Sequence, residues 1–227
     1  MQRVEGKKQR PISTRELIET AAAYDRRLID LGCGDGRFVL RTARENKDWA
    51  CIGIDAVADP MRECARRAGA KPTKGGAPNA LYVLSSIEAL PDDLVGIATH
   101  LTIQYAWGSL LRVFVQPDMK LLTKIARLAA GGATFSVLIN CSVFDDPDYV
   151  ARLALPSLDE SRFRAELAPA WLKAGLAVES IETQREAAET PSSWGKRLVK
   201  GSGREVLAIK GTISRNAQTT SESALPA

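Results

Sequence analysis

Short apolar runs alternate with segments of helical periodicity over most of the chain. The runs predict five strands, at Arg27–Leu31, Ala50–Asp55, Ala80–Ser85, Ile97–Gln104 and Ala133–Ile139. Helices are predicted from a capping box at Ser13–Glu16 towards Tyr24, and at Arg37–Glu45, Ala58–Ala68 and Met119–Ala130, with Gly131 and Gly132 as a helix stop. This alternation predicts a doubly wound α/β fold with a mostly parallel sheet.

The last third of the chain has a different pattern. Helical segments flank Pro169, which fits the first turn of the second segment. Ala177–Thr183 and Glu205–Ile213 predict two strands with no helix between them, and hence an antiparallel C-terminal hairpin at the sheet edge. The whole pattern predicts a seven-stranded sheet in a single domain over residues 1–213. Residues 214–227 are polar without apolar periodicity, which predicts a disordered tail.

The composition is that of an ordinary globular protein, with 227 residues of which 45% are apolar and 26% charged. No apolar run reaches the roughly 18 residues that span a bilayer, and no apolar signal region follows the N-terminus. We therefore expect a cytoplasmic protein without membrane contact. The four cysteines have no CxxC spacing and the single histidine, His100, is predicted to be structural, so no metal site is expected.

The end of the first predicted strand carries a distinctive glycine pattern. Asp30 is followed by glycines at alternate positions, namely Gly32, Gly34 and Gly36. A dinucleotide fingerprint needs its third glycine one place later, where Arg37 stands, which disfavours a nicotinamide dehydrogenase. The second strand also ends in a carboxylate, Asp55, at the position that binds ribose hydroxyls in nucleotide-binding folds.

This spacing resembles the first motif of the class I S-adenosylmethionine-dependent methyltransferases, whose fold is Rossmann-like. The resemblance implies that Asp30 and the glycine turn hold the methionine end of the cofactor, and that Asp55 holds its ribose. It also implies that the segment after the third strand contacts the adenine ring, which makes Ile87 and Glu88 candidate cofactor residues.

Basic residues are concentrated in two segments, although the net charge is only +4. The first contains Arg62, Arg66, Arg67, Lys71 and Lys74, and the second contains Lys196, Arg197, Lys200 and Arg204. Most charge runs are solvated faces, but two clusters on what we expect to be one side of the fold favour a polyanion partner.

Two Trp-Gly elements, at Trp107 and Trp194, lie in loops predicted at the carboxyl edge of the sheet, where ligands bind. A single tryptophan is usually a core residue, but polar and glycine neighbours do not suit a core position. Two indoles on opposite sides of a pocket can clamp an extruded purine, because stacking contributes about 1–3 kcal/mol per base.

The two Trp-Gly elements, with the loop from Arg66 to Gly76, resemble the aminoglycoside-resistance 16S ribosomal RNA (adenine-1408 N1)-methyltransferases over nearly all of Arg3–Ile213. The resemblance implies S-adenosylmethionine as the cofactor and the assembled 30S ribosomal subunit as the substrate. It also implies resistance to drugs such as kanamycin and apramycin.

The same resemblance implies roles for particular residues. Trp107 and Trp194 would sandwich the target adenine, and Ser109 and Ser192 would belong to the cofactor site. The basic residues that would bind rRNA are Arg66, Arg67, Lys71, Lys74, Lys196, Arg197 and Arg204. Family members commonly have proline where this chain has Ala106, so we expect a looser Trp107 and weaker activity.

The implied reaction needs little acid–base chemistry, because adenine N1 carries a free lone pair at neutral pH. The shortage of histidine is therefore consistent with it. Two alternatives stay open: a methyltransferase of a small molecule or protein, and a non-catalytic ribosome-binding factor that keeps the fold as a scaffold. A ribosome-docking face favours a monomer.

Overall fold

The structure is a computed structural model that describes residues 1–184 and 205–214. The strands in these ranges are β1 (Gln2–Glu5), β2 (Lys8–Pro11), β3 (Arg26–Leu31), β4 (Trp49–Asp55), β5 (Ala80–Leu84), β6 (Ala98–Gln104), β7 (Ala129–Asn140), β8 (Leu176–Gln184) and β9 (Val206–Ile213). They form one sheet in the order β2-β1-β5-β4-β3-β6-β7-β9-β8. The strands from β3 to β7 pair in parallel, whereas β1, β2, β8 and β9 pair antiparallel.

Eight α-helices lie in the same ranges: α1 (Thr14–Ala22), α2 (Arg37–Glu45), α3 (Ala58–Ala68), α4 (Gly108–Val115), α5 (Met119–Arg127), α6 (Pro147–Leu153), α7 (Glu160–Arg162) and α8 (Ala168–Ala174). A π-helical turn, Phe163–Leu167, joins α7 to α8, and short 3-10 helices occur at Pro72–Lys74 and Cys141–Asp145. The predicted cap of α1 is confirmed, since Ser13 Oγ accepts a hydrogen bond from Glu16 N at 3.1 Å.

Apolar side chains cover both faces of the central strands. Ile29 and Ile52 belong to one buried cluster, while their neighbours Leu28 and Cys51 belong to a second. Because successive residues of a strand point to opposite faces, strands buried on both faces are apolar throughout. This arrangement confirms the predicted α/β fold with a mostly parallel sheet and an antiparallel C-terminal pair.

The junction between α5 and β7 differs from the prediction. α5 ends at Arg127 and β7 begins at Ala129, so Gly131 and Gly132 lie inside a strand and do not end the helix. Pairing between β6 and β7 is irregular at this point, and Gly132 adopts a φ of 85°. Glycine tolerates the left-handed backbone that such a strand irregularity requires.

The N-terminal hairpin of β1 and β2 was not predicted, and it raises the sheet from seven strands to nine. Val4 is the only residue of these two strands that is buried, so the segment lacks the apolar alternation by which a strand is recognised. β1 pairs with β5, which leaves β2 as the edge strand, and Arg62 Nη1 of α3 donates to Lys7 O at 3.0 Å.

The predicted C-terminal pair is confirmed, with β9 lying between β7 and β8 and antiparallel to both. Pro169 lies in the first turn of α8, as predicted. Ser214 N donates to Gly175 O at 2.8 Å, so the first residue of the predicted tail is hydrogen-bonded to the domain. The rest of that predicted tail, residues 215–227, lies outside the described residues.

Candidate active site

A cavity of about 430 Å³ opens at the carboxyl ends of the central strands. Its wall consists of the turn after β3, the end of β4, the loop after β5 and the segment that joins β6 to α4. This edge is where ligands bind in open α/β sheets. Seven of the predicted site residues line the cavity, namely Gly32, Gly34, Asp55, Ile87, Glu88, Trp107 and Ser109.

The glycine turn is fastened to the neighbouring strand. The backbone N–H groups of Gly32 and Cys33 both donate to Ile54 O, at 2.8 and 3.2 Å. Gly34 N donates to Asp55 Oδ2 at 2.8 Å, and Val57 N donates to Asp55 Oδ1 at 2.9 Å. The Asp55 carboxylate therefore orders the turn and also faces the cavity.

Gly36 holds the turn from behind the cavity wall. A Cβ atom at this position would lie 2.3 Å from Cε1 of Tyr82, and the residue has a φ of 69°. Tyr82 Oη donates to Gly36 O at 2.9 Å. Gly36 does not line the cavity, so the structure places it as a close packing point between the turn and β5.

Asp30, like Gly36, does not line the cavity. Its side chain is 2% exposed and accepts a hydrogen bond from Thr102 Oγ1 at 2.7 Å. Burial raises the pKa of this carboxyl to about 7, with a smaller contribution in the same direction from the nearby Asp55 and Asp35. The sequence predicted a residue that contacts the cofactor. Asp30 is not among the residues that line the cavity, and its buried carboxyl is instead hydrogen-bonded to Thr102 of the neighbouring strand.

The loop after β5 supplies the predicted adenine-side residues. Ile87 is half-buried against the core and Glu88 is exposed, and both line the cavity. Lys124 of α5 donates through Nζ to Leu90 O at 2.7 Å and to Glu88 O at 3.3 Å. These bonds fix the backbone of the loop to a helix.

Trp107 projects from the segment between β6 and α4 with 50% of its surface exposed. Its ring lies against Tyr149, with the ring centroids 4.3 Å apart and the planes tilted by 39°. Ala106, which precedes it, is buried. Tryptophan side chains are usually largely buried, so a half-exposed indole at the rim of a ligand-sized cavity is unusual.

The first basic segment lies at the far end of α3 from the cavity. α3 begins at Ala58 beside the cavity and has 11 residues, so it carries its C-terminus about 16 Å away. Arg66 pairs with Glu63 at 2.7 Å, and both side chains are mostly exposed. Arg67, Lys71 and Lys74 are exposed and form no ion pair with any residue in the described ranges.

The other predicted site residues lie outside the described residues. They are Trp194, Ser192, Lys196, Arg197 and Arg204. Within residues 1–184 and 205–214, no three His, Cys, Asp or Glu side chains are grouped as a metal site would require. In those same ranges, no helix has the length and apolar character to cross a membrane.

A family model described as "NpmA: 16S rRNA (adenine(1408)-N(1))-methyltransferase" matches residues 2–213. A curated relative from Escherichia coli, named 16S rRNA (adenine(1408)-N(1))-methyltransferase, is 31% identical over 216 residues, with 94% of this chain and 99% of the relative covered. The chain belongs to this methyltransferase family.

Solved structures of similar proteins agree with that assignment. The 16S rRNA (adenine(1408)-N(1))-methyltransferase from Catenulisporales acidiphilia, crystallised as a tryptophan-to-alanine mutant with its cosubstrate SAM, matches with a TM-score of 0.84 at 28% identity over 100% of both chains. The antibiotic-resistance methyltransferase Kmr is 39% identical, with a TM-score of 0.78 over 94% of this chain and 99% of Kmr. The predicted family and the class I methyltransferase fold are confirmed.

Two side chains of this methyltransferase were not predicted as site residues. Thr102 binds Asp30 because the register of β3 and β6 places the two residues opposite each other. Tyr149 contacts Trp107 from α6, which follows β7 in the sequence and is therefore distant from Trp107 along the chain. The pairing of Thr102 could be found from the alignment of two predicted strands, but no periodicity or spacing indicates the contact of Tyr149.

Proposed function

We propose that this chain transfers a methyl group from S-adenosylmethionine to N1 of adenine 1408 in the 16S rRNA of the assembled 30S subunit, and so gives resistance to kanamycin and apramycin. The observation that carries the proposal is the exposed Trp107 indole at the rim of a cavity whose wall contains the glycine turn and Asp55. Membership of the family over residues 2–213 supports the choice of base and RNA.

The cavity fits the implied cofactor in size and chemistry. Its volume of about 430 Å³ lies within the usual range for small-molecule sites. A carboxylate has about four lone-pair positions, and Asp55 uses two of them for Gly34 N and Val57 N. The remaining two can accept both ribose hydroxyls.

Other residues complete this proposed binding mode. Ile87 gives an apolar wall for the adenine ring and Glu88 a carboxylate at its edge, while Gly32, Gly34 and Ser109 face the methionine end. Asp30 and Gly36 hold the turn in place from below. We propose that Ser192, which lies outside the described residues, completes the site.

When bound, the cofactor supplies an electrophilic methyl group on a sulfonium. The lone pair of adenine N1 would accept this methyl group, the S–C bond would break with its electron pair left on sulfur, and the base would acquire the positive charge. No proton need be removed, so the task of the protein is alignment, which can contribute roughly 7–11 kcal/mol to catalysis. Trp107 supplies one stacking surface for the extruded adenine, and we propose Trp194 as the other.

The subunit would be held by contacts far from the reacting base. Arg66, Arg67, Lys71 and Lys74 at the end of α3 are suited to the phosphate backbone, which positions a protein on nucleic acid without selecting a base. We propose that Lys196, Arg197 and Arg204 add to this contact. The active unit is a monomer of one domain over residues 1–213, and it acts in the cytoplasm, where ribosomal subunits are found.

The test is primer extension on 16S rRNA from cells that express the chain, with cells expressing the Trp107→Ala variant as the matched control. We expect a stop beside adenine 1408 and growth on kanamycin for the parent chain alone. Tritium transfer from labelled cofactor separates the alternatives: label in metabolites or proteins but not in purified 30S subunits contradicts the proposal, and absence of cofactor binding favours a non-catalytic ribosome-binding factor.

A further inference from the structure

Two residues with positive φ flank the segment that carries Trp107. Tyr105 has a φ of 55°, a left-handed conformation that is uncommon for a bulky side chain, and Gly108 has a φ of 59°. Ala106 does not restrict the backbone as a proline would. Trp107 occupies the N-cap position of α4, and its side chain makes no capping hydrogen bond. The N–H groups of the first turn therefore need partners from elsewhere.

Tyr149 of α6 supplies one such partner. Its Oη accepts a hydrogen bond from Gly108 N, the first residue of α4, at 2.8 Å. The same side chain packs its ring against the Trp107 indole, with the centroids 4.3 Å apart. Tyr149 thus contacts the indole and the backbone that follows it, which restrains both the position and the direction of Trp107.

Tyr149 is itself held firmly enough to act as a restraint. It is 4% exposed, and its backbone N–H donates at 3.0 Å to Asp146 Oδ1, the cap of α6. The Arg152 guanidinium carbon lies 5.3 Å from the ring centroid on the same helix. Burial raises the pKa of the Tyr149 phenol, so the hydroxyl is neutral at physiological pH.

We propose that Tyr149 is a positioning residue that presents the Trp107 indole to the target base by fixing both the ring and the N-terminus of α4. The inference rests on the proposed function, because it assigns Trp107 to the extruded adenine. Tyr149 does not line the cofactor cavity but contacts Trp107, so it acts through that residue.

The decisive variant is Tyr149→Phe, which removes Oη and keeps the ring. Loss of one hydrogen bond to a backbone donor lowers kcat on 30S subunits by about 2- to 12-fold, if that bond aligns Trp107. KM for the subunit and the affinity for S-adenosylmethionine, measured by isothermal titration, stay unchanged. Tyr149→Leu also removes the ring and lowers kcat further. Tyr24→Phe is the matched control, because it removes the hydroxyl of a half-buried tyrosine at the opposite end of the strands and leaves kcat unchanged.

Two further measurements distinguish positioning from general support of the fold. Hydrogen–deuterium exchange of the peptide that contains Gly108 becomes faster in Tyr149→Phe, while peptides from β3 and β4 keep their rates. In a double-mutant cycle with Trp107→Phe, the two substitutions are strongly non-additive in kcat, because Tyr149 has no effect except through the indole.

Unchanged kcat in Tyr149→Phe and Tyr149→Leu overturns the inference, as does additivity with Trp107→Phe. A loss of kcat that is matched by an equal loss of cofactor affinity overturns it too, since that pattern shows a structural role. If Tyr149→Leu fails to fold, Tyr149→Phe decides alone. A parent chain that binds cofactor but never methylates the subunit is a different result: it refutes the proposed function, and this inference with it.

Discussion

Replacing Asp30 by asparagine tests how a buried carboxyl affects stability. In the folded protein burial raises the pKa of Asp30 from 3.8 to about 7. Between these values the native state keeps a proton that the unfolded chain has released, so the free energy of unfolding falls as the pH rises. The contribution of protonated Asp30 to the free energy of unfolding is complete below pH 3.8. It is lost as the pH rises through 7. At 1.36 kcal/mol per pH unit, the loss from pH 5 to pH 8 is about 2.5 kcal/mol.

Urea unfolding of the cofactor-free protein at a series of pH values measures this loss. The Asp30→Asn variant cannot ionise at this position, while its Oδ1 atom can still accept the bond from Thr102 Oγ1. We expect its unfolding free energy to decline less than that of the parent chain from pH 5 to pH 8, by about 2.5 kcal/mol. Asp25→Asn, at an exposed position, should follow the parent profile. Parallel profiles for the parent chain and Asp30→Asn would refute the assignment of a proton to the buried carboxyl.

Substitutions at Trp107, at the basic end of α3 and at Gly36 separate the parts of the site. Trp107→Ala should abolish methyl transfer and resistance while cofactor affinity is kept; retained resistance would remove the indole from the mechanism. Charge reversal at Arg67 or Lys71 should weaken binding to 30S subunits in sedimentation assays, and an equal loss of cofactor affinity by calorimetry would show a role in the fold instead. Gly36→Ala should lower the unfolding free energy by at least about 1 kcal/mol, from its positive φ, and further through contact with Tyr82; an unchanged denaturation midpoint would contradict this.

The central fold could be predicted because its elements have clear periodicity and end signals. α2 and α3 were predicted over the ranges observed, since each follows a strand end and stops before a residue that favours loops, Asn46 after α2 and Gly69 after α3. The hairpin of β1 and β2 could not be predicted, because its strands bury a single side chain and are held by β5 and Arg62 from distant parts of the sequence.

The parts of the candidate site that belong to a sequence motif could be predicted. The orientation of a side chain that depends only on packing could not. Gly32, Gly34 and Asp55 line the cavity at the strand ends, because a tight turn at a strand end has few geometries. Asp30 belongs to the same motif but lies below the turn, since spacing along a chain does not say whether a side chain faces a cavity or the core. Trp194 and the second basic segment lie outside the described residues, and their roles stay predictions.

The distance that α3 introduces between the cavity and Lys71 has a consequence for inhibitor design. Under the rRNA contact that we propose for this helix end, a nucleoside-like compound that competes for the cavity would leave the cationic residues available to RNA. The inhibited enzyme could still bind ribosomal subunits. It would then compete with uninhibited enzyme molecules for the same binding site on the subunit. Compounds that bind the helix end would instead prevent the enzyme from binding the subunit. Methyl transfer would then stop although the cofactor could still enter the cavity.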